Sequence, residues 1–261
     1  MIKWFPKASL WFQLNKLPVR RGHFALKGSF AMQWSDEGII ISTRRHGESS
    51  VVVELLTREH GRHAGLVRGG RGRRLRPVLQ IGNRVLAVWK ARLAEHLGLY
   101  ALEPVKLRAA LVMGEPLKLM ALQSVCALAG YVAEREPHPQ LYEATELFIS
   151  ALVEEGEAWC PQMVFWELGL LAELGYGLDL SSCAVTGGRQ GLTHVSPRTG
   201  RAVCAQVAEP YKGKLLPLPA FLVEEEGEIA KRDIGEGLRL CRYFLEKKHV
   251  VSQRLASCCL L

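Results

Sequence analysis

The stretch that decides the fold is VVVELLTREHGRHAGLV, residues 51–67, in which two apolar segments flank the polar connection REHG. Both segments are rich in valine and leucine, which are common in buried strands. Gly61 ends the connection and can adopt the positive φ that a tight hairpin turn requires. The stretch therefore predicts a β-hairpin that sets the pattern for the sequence on both sides.

Short strands are predicted on either side of this hairpin. GIIISTRR (38–45) precedes it, and RVLAVWKARL (84–93) and GLYAL (98–102) follow it. Five strands of this length suit a small closed or partly closed barrel, because closure removes the edges that an open sheet exposes. Alternation in the fourth strand directs Lys90 and Arg92 outward and places on the core face Val85, Ala87, Trp89, Ala91 and Leu93.

After Pro104 the apolar period changes from two residues to the helical spacing. Apolar residues recur at helical intervals over 122–133 and 141–152, and Pro161 stands at a typical first helical position. Near the end, Asp233 and Glu236 form an Asp-x-x-Glu capping box. The second half is therefore predicted to be a helical bundle, with Cys126 and Cys241 as core residues on its apolar stripes.

The segment between the third and fourth strands, RGGRGRRLR (68–76), contains five arginines and three glycines. The glycines predict a mobile backbone, and no Asp or Glu occurs from His60 to Ala94. The planar guanidinium group suits phosphate, so this charge run favours a polyanionic ligand over a merely solvated loop. The candidate DNA-binding residues are Arg62, Arg68, Arg71, Arg73, Arg74, Arg76, Lys90 and Arg92.

Charge is unevenly distributed over the 261 residues, whose net charge is +8. Residues 1–31 carry +6, residues 32–103 carry +5, residues 104–181 carry −7 and residues 182–261 carry +4. This polarity suggests a basic surface for nucleic acid or anionic membrane beside an acidic middle. No window is apolar enough to span a bilayer, so we expect a soluble, cytoplasmic protein.

The N-terminal residues 1–31 are basic and aromatic but lack an uninterrupted apolar segment, which argues against a secretory signal. Met32 stands immediately before the first strand. We therefore favour a leader outside the fold over a basic arm or a membrane-surface segment.

Seven scattered cysteines indicate reduced thiols and no disulfide framework. Cys183 and Cys204 flank a Gly/Ser/Thr-rich insertion typical of a zinc ribbon, but a closed zinc site needs four ligands. Thr186 and Val207 stand three residues after these cysteines, and His194 is a weak third candidate. We expect a degenerate ribbon over 183–207 without metal, and no cofactor.

Motifs of catalysis are missing from the sequence. The glycine-rich loop lacks a following Gly-Lys-Ser/Thr, and neither His-Glu-x-x-His nor Gly-x-Ser-x-Gly is present. Histidines of the barrel region, His46, His60, His63 and His96, can contact phosphate when protonated or simply be exposed loop residues. A binding protein is therefore expected, not an enzyme. A scaffold whose basic loop binds an acidic partner segment, and a metal-dependent nucleic-acid hydrolase, are the alternatives.

Four motifs in a fixed order resemble the bacterial RecO family of recombinational repair proteins. They are LVRGGR (66–71), LQIGN (79–83), ELGYGLDL (173–180) and SPRTGRAVC (196–204). The resemblance covers roughly residues 33–246. Residues 1–31 have no counterpart in the usual family pattern. It implies an α+β protein with an OB-fold barrel over 32–103, a helical domain over 104–182 and 208–261, and the ribbon-like insertion over 183–207.

The resemblance also implies a function. RecO-like proteins bind single- and double-stranded DNA, anneal complementary strands, and act with RecR and RecF to help RecA displace SSB. The acidic tail of SSB is expected to dock on the helical half. Many members carry two Cys-x-x-Cys pairs, of which this chain keeps the first cysteine of each, Cys183 and Cys204.

Overall fold

The computed structural model describes residues 32–154, 156–224 and 227–248. Its N-terminal unit is a closed five-stranded barrel in the order β1-β2-β3-β5-β4. Only the β3–β5 pairing is parallel. The strands are β1 Met32–His46, β2 Ser50–Thr57, β3 Arg62–Val67, β4 Arg84–Ala91 and β5 Leu99–Lys106. The predicted N-terminal leader, residues 1–31, lies outside the described residues.

Gly61 forms the predicted hairpin turn with a φ of 63°. A Cβ at this position would lie 1.9 Å from the backbone oxygen of Glu136, so only glycine fits. β1 is longer than predicted because it serves two neighbours: its first half pairs with β4 and its second half with β2. The segment MQWSDE (32–37) was missed because its apolar alternation stops after Trp34, where Ser35, Asp36 and Glu37 follow.

The barrel core contains the predicted face of β4. Trp89 is 1% exposed, and its indole N–H donates a hydrogen bond to the Leu97 carbonyl oxygen at 3.0 Å. Val85, Ala87 and Ala91 are also buried. The core placement of Leu93 was wrong: the residue is 51% exposed, because β4 ends at Ala91 and the alternation ends with it.

The second half contains the predicted helices, so the α+β class is confirmed. They are α1 Ala109–Val112, α2 Pro116–Ala129, α3 Pro139–Leu152, α4 Trp159–Glu173, α5 Ala205–Ala208 and α6 Lys231–Lys247, with short 3-10 helices at Glu209–Lys214 and Ala220–Leu222. Cys126 and Cys241 are buried as predicted. Within the described ranges, none of the helices combines the length and apolarity needed to cross a bilayer.

Two helix starts differ from the prediction. α4 begins at Trp159, before Pro161. Asp233 was predicted to cap the last helix but lies inside its first turn, where its carboxylate accepts a hydrogen bond from the Ala230 backbone N–H at 3.2 Å. Ala230 itself is the capping residue. Its methyl side chain has no acceptor, so only half of a capping box is present.

A small antiparallel sheet in the order β7-β6-β8 lies within the helical half. Its strands are β6 Leu192–Val195, β7 Ala202–Cys204 and β8 Leu216–Pro217. The first two form the hairpin expected in the insertion over 183–207. The third lies beyond residue 207, so the sheet recruits a strand from the following segment.

The barrel and the helices are joined by apolar packing and by a shared carboxylate. Ile39 and Ile41 on β1 and Leu56 on β2 belong to the same buried cluster as α2, α3 and α4. Glu146 on α3 accepts hydrogen bonds at 2.6 Å from Arg84 and from Arg108. Burial alone would raise the pKa of Glu146, but these guanidinium groups outweigh it and lower the pKa below its ordinary value.

Candidate nucleic-acid interface

The arginine-rich connection between β3 and β4, residues 68–83, forms hydrogen-bonded turns, whereas its glycines predicted a mobile backbone. Backbone N–H groups of Gly72, Arg76 and Leu79 donate hydrogen bonds to carbonyl oxygens within the connection. Val78 and Leu79 are buried in the barrel core. The apolar residues between the charges anchor the backbone in the core, while the charged side chains stay outside.

Asn83 locks the end of this connection. Its side-chain amide donates hydrogen bonds to the carbonyl oxygens of Pro77 at 2.9 Å and Val78 at 3.0 Å. Its side-chain oxygen accepts a hydrogen bond from the Ala109 backbone N–H at 3.0 Å, which ties the connection to the first helix. Asn83 closes the LQIGN motif, so the motif marks the anchor of the basic loop.

Five arginines of the connection are exposed, and we call them the arginine loop: Arg68, Arg71, Arg73, Arg74 and Arg76. Across the described parts of the chain, none of the five forms an ion pair with a carboxylate. One of them contacts the β1–β2 turn: the Arg71 guanidinium donates to the backbone oxygen of Glu48 at 2.5 Å. A hydrogen-bonded backbone therefore presents charges that form no ion pair with the described residues.

Arg62, also a candidate from the sequence, has a different environment. Its guanidinium donates to the Glu54 carboxylate at 2.6 Å and to the Val132 carbonyl oxygen at 2.9 Å. Arg62 thus joins β3 to β2 and to the start of the connection between α2 and α3. Its charge is compensated inside the protein, so it does not belong to the arginine loop surface.

Lys90 and Arg92 lie near the arginine loop around the barrel wall. In the strand register, Leu66 of β3 lies beside Leu99 of β5, which pairs with Lys90 of β4. Lys90 is therefore two strand spacings, about 10 Å, from Leu66, which lies two residues before the arginine loop. Arg92 is exposed immediately after β4. The strand order brings these residues together although many positions separate them in sequence.

Arg44 and Arg45, near the end of β1, were not predicted. Both are exposed. Arg45 pairs with Val51, which pairs in turn with Val67, the residue before the arginine loop. Acidic residues follow them closely in the sequence, so they fell outside the acid-free run that marked the other candidates. Two adjacent arginines at a strand end beside a tight turn were the available signal.

Aromatic side chains of the barrel pack ring against ring. Trp34 stacks on His60 with ring centroids 4.1 Å apart, and His63 contacts Trp89 edge-to-face at 4.8 Å. Burial, with a contribution from Arg135, lowers the pKa of His63 to about 4. His63 is therefore neutral near pH 7, which excludes the phosphate contact considered from the sequence.

The cysteines of the insertion do not fit a zinc site. Cys183 and Cys204 are buried, and the Cys204 backbone N–H donates to the Cys183 sulfur at 3.3 Å. The Thr186 hydroxyl, three residues after Cys183, lies 3.9 Å from the Cys204 sulfur. In the described residues, no group of three or more His, Cys, Asp or Glu side chains could hold a metal ion. Two thiols fall short of the four ligands of a structural zinc site.

Comparison with known families agrees with the two halves of the structure. The family model Recombination protein O N terminal matches residues 32–108, which contain the barrel. The model Recombination protein O C terminal matches residues 113–254, which contain the helices from α2 onward and the small sheet. Together the two matches account for most of the chain.

Individual relatives named DNA repair protein RecO match this chain over nearly their whole length. The protein of Methylobacterium nodulans is 50% identical over 221 residues, 83% of this chain and 89% of the relative. The protein of Methylocella silvestris is 49% identical over 218 residues, which are 83% of this chain and 87% of the relative. The protein of Rhodospirillum centenum is 49% identical over 228 residues, which are 86% of this chain and 90% of the relative. The chain therefore belongs to the RecO family, which acts in DNA repair and recombination.

Proposed function

We propose that this protein is a cytoplasmic recombination mediator without catalytic activity. It binds single- and double-stranded DNA and anneals complementary strands. With RecR and RecF it helps load RecA onto single strands coated with SSB, whose acidic tail docks on the helical half. Its barrel acts as an OB-fold DNA-binding domain, and the 183–207 insertion is a zinc-ribbon-like element without its metal.

The observation that supports DNA binding most directly is the arginine loop: five exposed guanidinium groups on an anchored backbone, without carboxylate partners in the described residues. Lys90 and Arg92 extend this positive surface along β4, and Arg44 and Arg45 extend it along β1. Guanidinium groups bind phosphate oxygens in a bidentate manner. A sugar-phosphate backbone laid across these strands therefore meets cations along its length.

Annealing by such a surface needs no catalytic residue. Neutralising two backbones lowers their mutual repulsion, so that complementary bases can meet. Base specificity is not expected, because contacts to phosphates position the strand but do not read sequence.

The test replaces four loop residues by alanine in the full chain: Arg71, Arg73, Arg74 and Arg76. Each phosphate contact on single strands contributes about 0.7 to the slope of log affinity against log salt. Loss of four contacts should make the slope shallower by about 3. Fluorescence anisotropy of a labelled single strand, measured over a salt series, gives the slope directly.

A matched control removes four exposed positive charges elsewhere: Arg189, Lys231, Arg232 and Arg239. It changes the net charge by the same amount and should leave the slope near that of the parent. If the loop variant binds and anneals DNA as the parent does, the arginine loop is not the DNA-binding surface. If the control and the loop variant lose affinity equally, general charge and not this surface controls binding.

A further inference from the structure

A second basic surface lies at the tip of the small sheet, around the turn between β6 and β7. We define the sheet tip as Arg198, Lys214, Lys247 and Lys248. Arg198 lies in the turn itself, Lys214 precedes β8, and the two other lysines end α6. All four residues are exposed.

Three separate chain segments converge at the sheet tip. The register pairs Val195 of β6 with Leu216 of β8, which places Lys214 beside the β6–β7 turn. The Lys247 ammonium group donates a hydrogen bond to the Pro197 carbonyl oxygen in that turn, so the end of α6 reaches the same place. The tertiary structure therefore gathers charges that no sequence run displays.

Two carboxylates on neighbouring segments are engaged by other arginines. Asp179 accepts a hydrogen bond from Arg201 at 3.3 Å, and Glu246 accepts one from Arg242 at 2.8 Å. Arg198 and Lys214 form no ion pair with any described residue. The negative C-terminal end of the helix dipole is enough to explain lysines at the end of α6, because it attracts cations. It does not explain cations on two other segments.

Aromatic side chains accompany the charges. The Lys248 ammonium group lies 4.9 Å from the centroid of the Tyr176 ring, and Tyr176 is partly exposed. Tyr211, in the 3-10 helix that ends at Lys214, is 55% exposed. Basic groups interspersed with exposed aromatic rings are typical of surfaces that bind single-stranded nucleic acid, since rings stack on bases and cations hold phosphates.

We propose that the sheet tip is a second nucleic-acid-binding surface, which holds the backbone of the second strand during annealing. The inference rests on the proposed function, in which the arginine loop holds one strand. Two strands that meet are both polyanions, and cations at a single surface compensate only the first. A second basic surface on the same chain lets one molecule hold both strands. The acidic helices hold neither strand.

The test reverses two charges of the sheet tip in the full chain, Arg198→Glu and Lys214→Glu. The matched control is Arg232→Glu with Arg239→Glu, an equal charge change along α6. Each phosphate contact on a single strand changes the affinity about fivefold when the salt concentration changes tenfold. At low salt we expect the annealing rate of two complementary strands to fall at least about fivefold for the tip variant. Its affinity for one isolated strand should change less than about twofold, and the control should behave like the parent in both measurements.

Two results would overturn the inference. Annealing at the parent rate by the tip variant shows that the sheet tip holds no strand. Equal losses of single-strand affinity and annealing show that the tip and the arginine loop form one track for one strand. The milder pair Arg198→Ala and Lys214→Ala should give a smaller effect of the same kind, provided that thermal unfolding shows all variants folded.

The arginine loop variant separates this inference from the proposed function. If that variant keeps parental DNA binding, the proposed function fails whatever the tip variant does. If the loop variant loses binding while the tip variant anneals normally, only the second surface is rejected.

Discussion

Glu167 is a carboxylic acid sealed inside the helical half, and its replacement by glutamine tests the energetics of that core. The side chain on α4 is 1% exposed. Neither carboxyl oxygen has a hydrogen-bond partner that satisfies normal geometry among the described residues. Burial raises the pKa of Glu167 to about 8, although the nearby Cys241 thiol lowers it slightly. The folded protein therefore keeps this acid protonated at neutral pH.

The magnitude follows from proton linkage. The ordinary pKa of the group is 4.5, so between pH 4.5 and 8 the unfolded chain has released a proton that the folded chain retains. The contribution of protonated Glu167 to the free energy of unfolding is fully present below pH 4.5 and declines as the pH rises to 8. One pKa unit corresponds to about 1.4 kcal/mol, which gives a decline of about 2.5 kcal/mol from pH 5 to pH 7.

The assay is reversible urea unfolding of the parent and of Glu167→Gln at pH 5 and pH 7, with a reducing agent to keep the thiols free. Glutamine has nearly the same shape and does not titrate, so its fixed packing effect cancels between the two pH values. The variant should gain about 2.5 kcal/mol relative to the parent over this interval. The control Glu154→Gln, at an exposed carboxylate, should show no such gain.

The result that refutes this reasoning is a stability difference between Glu167→Gln and the parent that stays constant with pH. It would mean that the folded protein titrates Glu167 at an ordinary pKa, through a donor or water channel that stabilises the carboxylate. A constant difference in the same direction as expected would still reject the proton linkage, because packing alone produces it.

Three further perturbations test the fold. Glu146→Gln should destabilise the protein by on the order of 3 kcal/mol in urea unfolding, because Arg108 keeps its buried charge and loses its counter-ion. Since the pKa of Glu146 is lowered in the folded state, this difference should shrink as pH falls below the ordinary pKa. Gly61→Ala should lower stability by more than about 1 kcal/mol, because alanine at positive φ is strained and its Cβ would collide with Glu136. Trp89→Ala should lower it by roughly 3 kcal/mol or more in the same assay, through the cavity left in the barrel core.

The barrel and the helices could be predicted because their signals are local. Alternation in β4 places Trp89 in the core, and Gly61 marks the hairpin turn. The local sequence pattern does not predict an element whose extent is set by tertiary contacts. β1 begins six residues before its apolar segment, because pairing with β4 and not side-chain pattern extends it.

The candidate interface could be predicted only in part, because ion pairing is decided by tertiary contacts. In the sequence, Arg62, Arg73 and Arg84 are equivalent members of one acid-free run. In the fold, Arg62 pairs with Glu54 on β2, and Arg84 pairs with Glu146 on α3. Arg73 has no such carboxylate among the described residues. Local composition finds the charges but cannot say which of them the protein uses for its own stability.

This division of the positive charges has a consequence for salt dependence. The pairs between Arg84 or Arg108 and Glu146 are largely buried at the junction of the barrel and the helices, and salt screens buried pairs weakly. The arginine loop is exposed, so its attraction for phosphates weakens steeply with ionic strength. Raising salt from about 0.1 M to 0.5 M should therefore release DNA, while the free energy of unfolding changes by less than about 1 kcal/mol. Parallel loss of binding and stability in one salt series would show instead that the two sets of arginines act as one electrostatic unit, and the division drawn from the ion pairs would be wrong.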